Sequence, residues 1–198
     1  MTRALAAGLL LVLAGCKNGL PWKKAPVDAG VAADAGAVDA GSDAAAPTGL
    51  YTSKPGGFRV RFPDGKSPDV EEKPIGGTGG ATHLFKVQYG SGAYLVSYDD
   101  FSKEAREPRT ASDILDGAKN GIVEGTGGTI ESERPITLGG KHPGIELTLS
   151  ATTSGIKMRQ RLRAYAVDGR LYQTLVVTPD WTTATAVETE FLDSFSLL

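Results

Sequence analysis

From Lys157 to Val167 the sequence reads KMRQRLRAYAV, with a basic residue at every second place from 157 to 163 and mostly apolar residues otherwise. A period of two suits an extended strand whose two faces meet different surroundings, whereas a helix would scatter the same residues around its circumference. Asp168-Gly169 follows, a dipeptide suited to a tight hairpin turn, and RLYQTLVVTP (170–179) runs back. A lone hairpin is marginal in water, so this segment commits the chain to a larger sheet.

The same pattern recurs upstream. GGFRVRFP (56–63) puts Phe58, Val60 and Phe62 on one face and Arg59 and Arg61 on the other. HLFKVQY (83–89), the turn Gly90-Ser91-Gly92 and AYLVSYDD (93–100) read as a second hairpin. TIESERPITL (129–138) is a strand broken by Pro135, which suits an edge or a bend. GIELTLSA (144–151) alternates with Ile145, Leu147 and Leu149 on one face.

Two segments break this rhythm. TASDILDGAKNGIVEG (110–125) carries Ile114, Ala118 and Ile122 at four-residue spacing, with Leu115 alongside. Thr110 or Ser112 can cap it, Asp113 suits its first turn, and Gly125, Gly127 and Gly128 end it. Gly117 and Gly121 lower its propensity, so it must rely on packing. Asp180 is placed to cap a last helix, WTTATAVETEFLDSF, with a stripe of Ala184, Val187, Phe191 and Phe195. The expected class is α+β: about six or seven mostly antiparallel strands with two helices, placed so that they can cover both faces of the sheet.

The opening Gly57-Phe58 strand ending in Phe62-Pro63, the hairpin ending in Tyr98-Asp99, the mid-chain helix, the late Leu171-Tyr172 strand and the closing Phe191-Leu192-Asp193-Ser194-Phe195 together resemble the PsbP/Mog1-like domain. The resemblance spans about residues 50–198 and rests on order and hydrophobic pattern. It implies an antiparallel sheet sandwiched by helices, in a family that mostly binds or assists the assembly of other proteins. It implies no catalytic residues.

The first residues are of another kind. Arg3 makes a short positive region, and Ala4 to Ala14 is an unbroken small and apolar run, too short to span a bilayer. This is the form of a secretory signal peptide, residues 1–15. Leu13-Ala14-Gly15-Cys16 resembles the lipobox of bacterial lipoproteins. That resemblance implies a diacylglycerol on the Cys16 thiol, cleavage before it and acylation of the new amino terminus. Cys16 is the single cysteine, so no intramolecular disulfide competes for it. Lys17 stands where an Asp would hold a Gram-negative lipoprotein at the inner membrane, which favours the periplasmic face of the outer membrane.

Residues 16–49 follow as a low-complexity segment with DAG at 28–30, 34–36 and 39–41. Beyond Trp22 it has almost nothing to bury, so it reads as a disordered tether with a root-mean-square reach of roughly 30 Å. Lys23 and Lys24 fall near the headgroups of the anchoring membrane. Residues 50–198 form the single folded domain, long enough to fold alone.

Chemical motifs are weak. A net charge of -2 gives no reason to expect nucleic acid as a partner. Asp64-Gly65-Lys66-Ser67 lacks the preceding glycine and the following helix of a phosphate loop, so it reads as a turn. Gly76-Gly77-Thr78-Gly79-Gly80 fails the dinucleotide pattern and reads as a loop. His83 and His142 would need to meet with Asp99 or Asp100 to hold a metal, and their spacing supports none. Asp99 and Asp100, as strand neighbours, point apart. No cofactor is called for.

The best candidate surface is Lys157, Arg159, Arg161 and Arg163, which project from one side of a strand, with Arg59 and Arg61 extending it if their strand lies near. It suits an anionic partner. The alternative is pairing with Glu146, Glu131 and Glu133, or protection of a sheet edge. The leading expectation is a non-enzymatic, membrane-anchored cell-envelope lipoprotein that binds a protein or envelope component. A small-molecule or lipid carrier using Phe85, Tyr89, Tyr94 and Tyr98 comes second, and an unrecognised hydrolase using Asp99 or His83 third.

Overall fold

The computed structural model describes residues 49–75, 80–102, 109–182 and 185–198. Cys16, residues 1–48 and most of the glycine loop (76–79) lie outside the described residues. In chain order the strands are β1 (Leu50–Ser53), β2 (Phe58–Arg61), β3 (Asp69–Pro74), β4 (Gly80–Tyr89), β5 (Gly92–Phe101), β6 (Thr129–Leu138), β7 (His142–Thr153), β8 (Ile156–Val167), β9 (Arg170–Pro179) and β10 (Ser196–Leu197). Helix α1 (Ala111–Thr126) lies between β5 and β6, and α2 (Ala186–Ser194) between β9 and β10.

Seven strands form one sheet in the order β3-β4-β5-β9-β8-β7-β6, and β1-β2-β10 form a small second sheet. Every strand pair is antiparallel. Asp168 and Gly169 both have positive φ, 50° and 79°, as the two-residue turn between β8 and β9 requires. The register puts Glu72, His83, Tyr98, Tyr172, Tyr165, Gly144 and Ile136 in one row across the seven strands.

The two faces of this sheet carry separate cores. On one, Leu95, Leu147, Leu162 and Leu175 meet Ile122 of α1, and Ala164, Ala166 and Leu171 meet Ile114, Leu115 and Ala118. Burial of the Ile and Leu side chains of α1 stabilises by roughly 1.5–3 kcal/mol each. That outweighs roughly 1 kcal/mol for each internal glycine of the helix. Thr110 caps α1 by accepting from the Asp113 N–H, and Asp113 accepts in return from the Thr110 N–H at 2.7 Å. The helix runs through Gly125 and stops at Gly127, whose φ of 61° suits a residue without a side chain.

On the other face Tyr94, Val96, Tyr98, Tyr172 and Val176 pack under Phe191 and Leu192 of α2, under Phe58 and Val60 of the small sheet and under Phe62 just beyond β2. Pro135 lies on β6, which is an edge strand as its proline requires. At Gly144 the backbone runs against its neighbour: a Cβ there would stand 2.5 Å from the Ala164 carbonyl oxygen and 2.5 Å from the Tyr165 ring.

The last helix starts later than its sequence pattern indicates. Its cap is Thr185, which accepts from the Glu188 N–H, and not Asp180. Asp180 donates its own N–H to Lys157 O at 2.9 Å, and the chain then turns, with the Thr182 N–H donating to Pro179 O at 3.0 Å, so the helix cannot start at Asp180. Ala184 of the expected stripe lies outside the described residues, while Val187, Phe191 and Phe195 do face the core.

Candidate functional site

The four basic residues of the stripe alternate along β8 and therefore share the face on which α2 lies. Each finds a different setting. Lys157 Nζ stands 3.1 Å from Asp180 Oδ2 and is exposed. Arg159 donates to both oxygens of Glu188, at 3.1 and 3.3 Å, and to the Thr182 carbonyl at 2.8 Å. Arg163 donates from Nε to Glu146 Oε2 at 2.5 Å and pairs through Nη1 with Asp193 Oδ1 at 2.7 Å. Arg134, on the edge strand, closes the set with a 2.9 Å contact to Glu146 Oε1.

Arg161 is the exception. Its Nη1 stands 3.9 Å from Glu188 Oε2, and among the described residues its guanidinium makes no hydrogen bond. Only 18% of its side chain is exposed. Glu188 already gives its two oxygens to Arg159, so the ladder has one more guanidinium than it has closely bound carboxylates. The register sets Arg161 beside Thr148 of β7, with Ser150 one pair further along beside Arg159. Both of these residues are half-buried.

Electrostatics follow the contacts. Burial pushes the Glu146 carboxyl up, yet the bonds from Arg163 and Arg134 outweigh it and hold it below the ordinary carboxylate range. Burial likewise opposes the charge on Arg163, and Glu146 and Asp193 more than restore it.

Arg59 and Arg61 do not extend the stripe as one surface. They belong to β2 of the small sheet. Arg61 Nη1 donates to Glu190 Oε1 at 2.8 Å, and the Arg61 N–H donates to Ser194 Oγ at 2.8 Å. Arg59 is exposed and among the described residues makes no ion pair. Helix α2 is therefore strapped from two sides, by Glu188 and Asp193 to β8 and by Glu190 to β2. Of the carboxylates expected as partners, Glu146 serves, Glu133 goes instead to Lys119 at 3.2 Å, and Glu131, which among the described residues makes no ion pair with the stripe, adds to the field at Lys157. The acids of α2 are the partners that sequence reasoning missed. The signal for them is the acidic run Glu188, Glu190, Asp193 in the one amphipathic helix that follows the basic strand.

A second polar cluster sits at the other end of the same face. His83 stacks on Tyr98 with centroids 4.4 Å apart, and its ring nitrogens stand 3.4 Å from Glu72 and 3.8 Å from Asp100. Arg170 reaches Asp100 at 2.6 Å and the Tyr172 hydroxyl at 3.1 Å, and that hydroxyl donates to Gly56 O at 2.7 Å. Burial, with the Asp100 charge second, pushes the Tyr98 hydroxyl up to about 12. Asp99 lies on the opposite face, paired with Thr82, so His83 and Asp99 do not meet. His142 is on β7, three strands beyond β5, and does not join His83. Among the described residues no group of His, Cys, Asp and Glu is placed to hold a metal ion.

The rings suggested as a carrier lining are closely packed. Phe85 meets Phe58 at 5.2 Å and Tyr94 meets Phe191 at 5.4 Å between centroids, while Tyr89 is only partly buried. The segment at Asp64-Gly65 is a short 3-10 turn, Pro63–Gly65, followed by extended chain. Among the described residues no helix is long and apolar enough to cross a membrane.

No family model matches the chain. No curated protein matches it either. Among solved structures, cyanobacterial PsbP from Synechocystis sp. PCC 6803 aligns with 12% identity over 79% of this chain and 99% of that one, with a TM-score of 0.49. A protein of unknown function from Pseudomonas aeruginosa aligns with 14% identity over 66% of this chain and 82% of that one, with a TM-score of 0.40. These are what the chain is similar to, and its architecture rests on its own register and packing.

Proposed function

We propose that the chain is a membrane-anchored envelope lipoprotein whose 50–198 domain binds an acidic group of a partner protein and carries out no chemistry of its own. Acylated Cys16 would hold it to the outer membrane on the periplasmic side, and the Ala/Asp/Gly tether would give it reach. The observation that supports a binding role is Arg161. An arginine fork presents five N–H donors matched to a carboxylate or phosphate. Leaving most of them unbonded in a partly buried place is unfavourable unless water or a ligand meets them. Arg161, flanked by Arg159 and Arg163, which each bind a carboxylate closely, and set beside the hydroxyl-bearing Thr148, is such a fork among the described residues.

The test is in-cell photo-crosslinking from a benzoylphenylalanine at position 148, followed by mass spectrometry. The expected result is one dominant protein adduct that Arg161→Gln weakens and Cys16→Ser abolishes. A polysaccharide or lipid adduct would replace the protein partner with an envelope polymer. Absence of any adduct above background, or an adduct indifferent to Arg161→Gln, would contradict the reading.

A further inference from the structure

The place where the tether joins the domain shares one end of the large sheet with the most exposed aromatic residue described. The chain comes in at Gly49, packed so closely on Gly65 that a side chain on Gly49 would lie 3.3 Å from the Gly65 Cα. The next residue, Lys66, holds its ammonium 5.5 Å from the centre of the Tyr89 ring. Tyr89 pairs with Gly92 across the β4–β5 turn. A Cβ on Gly92 would stand 2.9 Å from the Thr178 methyl group, near the end of β9. Two residues on, Asp180 binds Lys157 through both backbone and side chain. Ile156, the first residue of β8, adjoins Lys157, and Trp181 follows Asp180 in the turn that the Thr182 N–H closes on Pro179 O at 3.0 Å, so both belong to this end of the sheet.

Trp181 is 71% exposed and Ile156 is 37% exposed. The nearby cations, Lys66 and Lys157, are exposed as well. An exposed indole at one end of the sheet with an aliphatic tip and lysines matches the headgroup level of a bilayer, where tryptophan is enriched and lysine keeps its ammonium in water. It matches a second copy of the chain poorly. A stable dimer buries at least about 1,200 Å² in total, and two projecting side chains supply a small part of that.

We infer that this end of the domain rests on the membrane that holds the tether, with Trp181 and Ile156 at the lipid interface. The inference builds on the anchoring of Cys16 proposed above. The contact is too small to hold the domain by itself. A tether of this length keeps the local lipid concentration high, which lets a weak contact persist. The orientation has a functional consequence, since Arg161 sits mid-strand on the sheet face and stays open to a partner arriving from the side.

The experiment uses the acylated full chain in vesicles of phosphatidylethanolamine and phosphatidylglycerol. Trp22 is the second tryptophan and lies beside the anchor, so it is replaced by Phe. Co-sedimentation reports the anchor, and quenching of Trp181 emission by brominated lipid reports the contact. The expected result is a chain that sediments, with Trp181 emission shifted to the blue and largely lost to the brominated lipid. Ile156→Asp should weaken that quenching and leave sedimentation unchanged. A chain that sediments while Trp181 emits as in soluble Cys16→Ser would overturn the inference and leave the anchor standing. A chain that fails to sediment would overturn both. Protection of Trp181 without lipid, rising with protein concentration, would assign the tip to a second copy and overturn the inference.

Discussion

Arg159 grips both carboxylate oxygens of Glu188, at 3.1 and 3.3 Å, where Glu188 has 1% of its surface left to solvent. A carboxylate so deeply buried is held only because a cation meets it. Glu188→Ala leaves Arg159 without its carboxylate and Arg161 without its nearest one. The expected loss of stability is about 3 kcal/mol or more by chemical denaturation. Arg161→Gln removes a cation that has no close partner, and its expected cost is about 1 kcal/mol or less. Equal losses in the two variants would contradict the view that Arg161 is the surplus charge of the ladder.

Gly144 is the position least able to accept a side chain along the central row of the sheet. A Cβ there would meet the Ala164 carbonyl oxygen and the Tyr165 ring, each at 2.5 Å. The carbonyl is backbone in a paired strand and cannot yield, and the ring is stacked on Phe195 at 5.9 Å with an interplanar angle of 3°. Gly144→Ala should therefore destabilise by about 1–3 kcal/mol, read as a lowered thermal midpoint. An unchanged midpoint would show that the strands part more easily than their register implies.

Asp99 makes stability depend on pH. Burial pushes its carboxyl from an ordinary 3.8 up to about 6, the neighbouring Asp100 adds to the rise, and the Thr82 hydroxyl at 2.6 Å and Arg109 oppose it. The folded state thus binds the proton more tightly than the unfolded chain. The stability this group contributes is fully present below about pH 3.8 and is lost as pH rises through about 6. A gap of that size corresponds to about 3 kcal/mol. Glu146 and Asp113 titrate with the opposite sign, so the decisive quantity is the difference from Asp99→Asn. The variant should gain on the wild type between about pH 4 and 6 and hold that gain above. A flat difference would remove the buried charge from the account.

Much of the fold is legible in the sequence because its strands are half-buried and long. β6 at 129–138 and β9 at 170–179 coincide with their sequence patterns. β3 was not legible: DVEEKP is an edge strand with most positions open to solvent, so no apolar alternation marks it. β1 and β10 are four and two residues long, too short for any period to show. The late start of α2 has a different origin. Asp180 is a good cap by type, yet its backbone is taken by Lys157, a contact made from a strand more than twenty residues earlier. The candidate site divides in the same way. The alternation of Arg159, Arg161 and Arg163 is local and readable, whereas the arrival of Glu188 and Asp193 above it depends on how α2 folds back.

The account rests most heavily on the anchor at Cys16, and intact mass spectrometry of the chain extracted from cell membranes tests it most directly. The account predicts a mature chain that starts at Cys16 and carries the mass of a diacylglycerol and a further acyl group, with Cys16→Ser found in the soluble fraction. A chain recovered from the soluble fraction with a free Cys16 thiol, or one that keeps its first fifteen residues in the membrane, would contradict it.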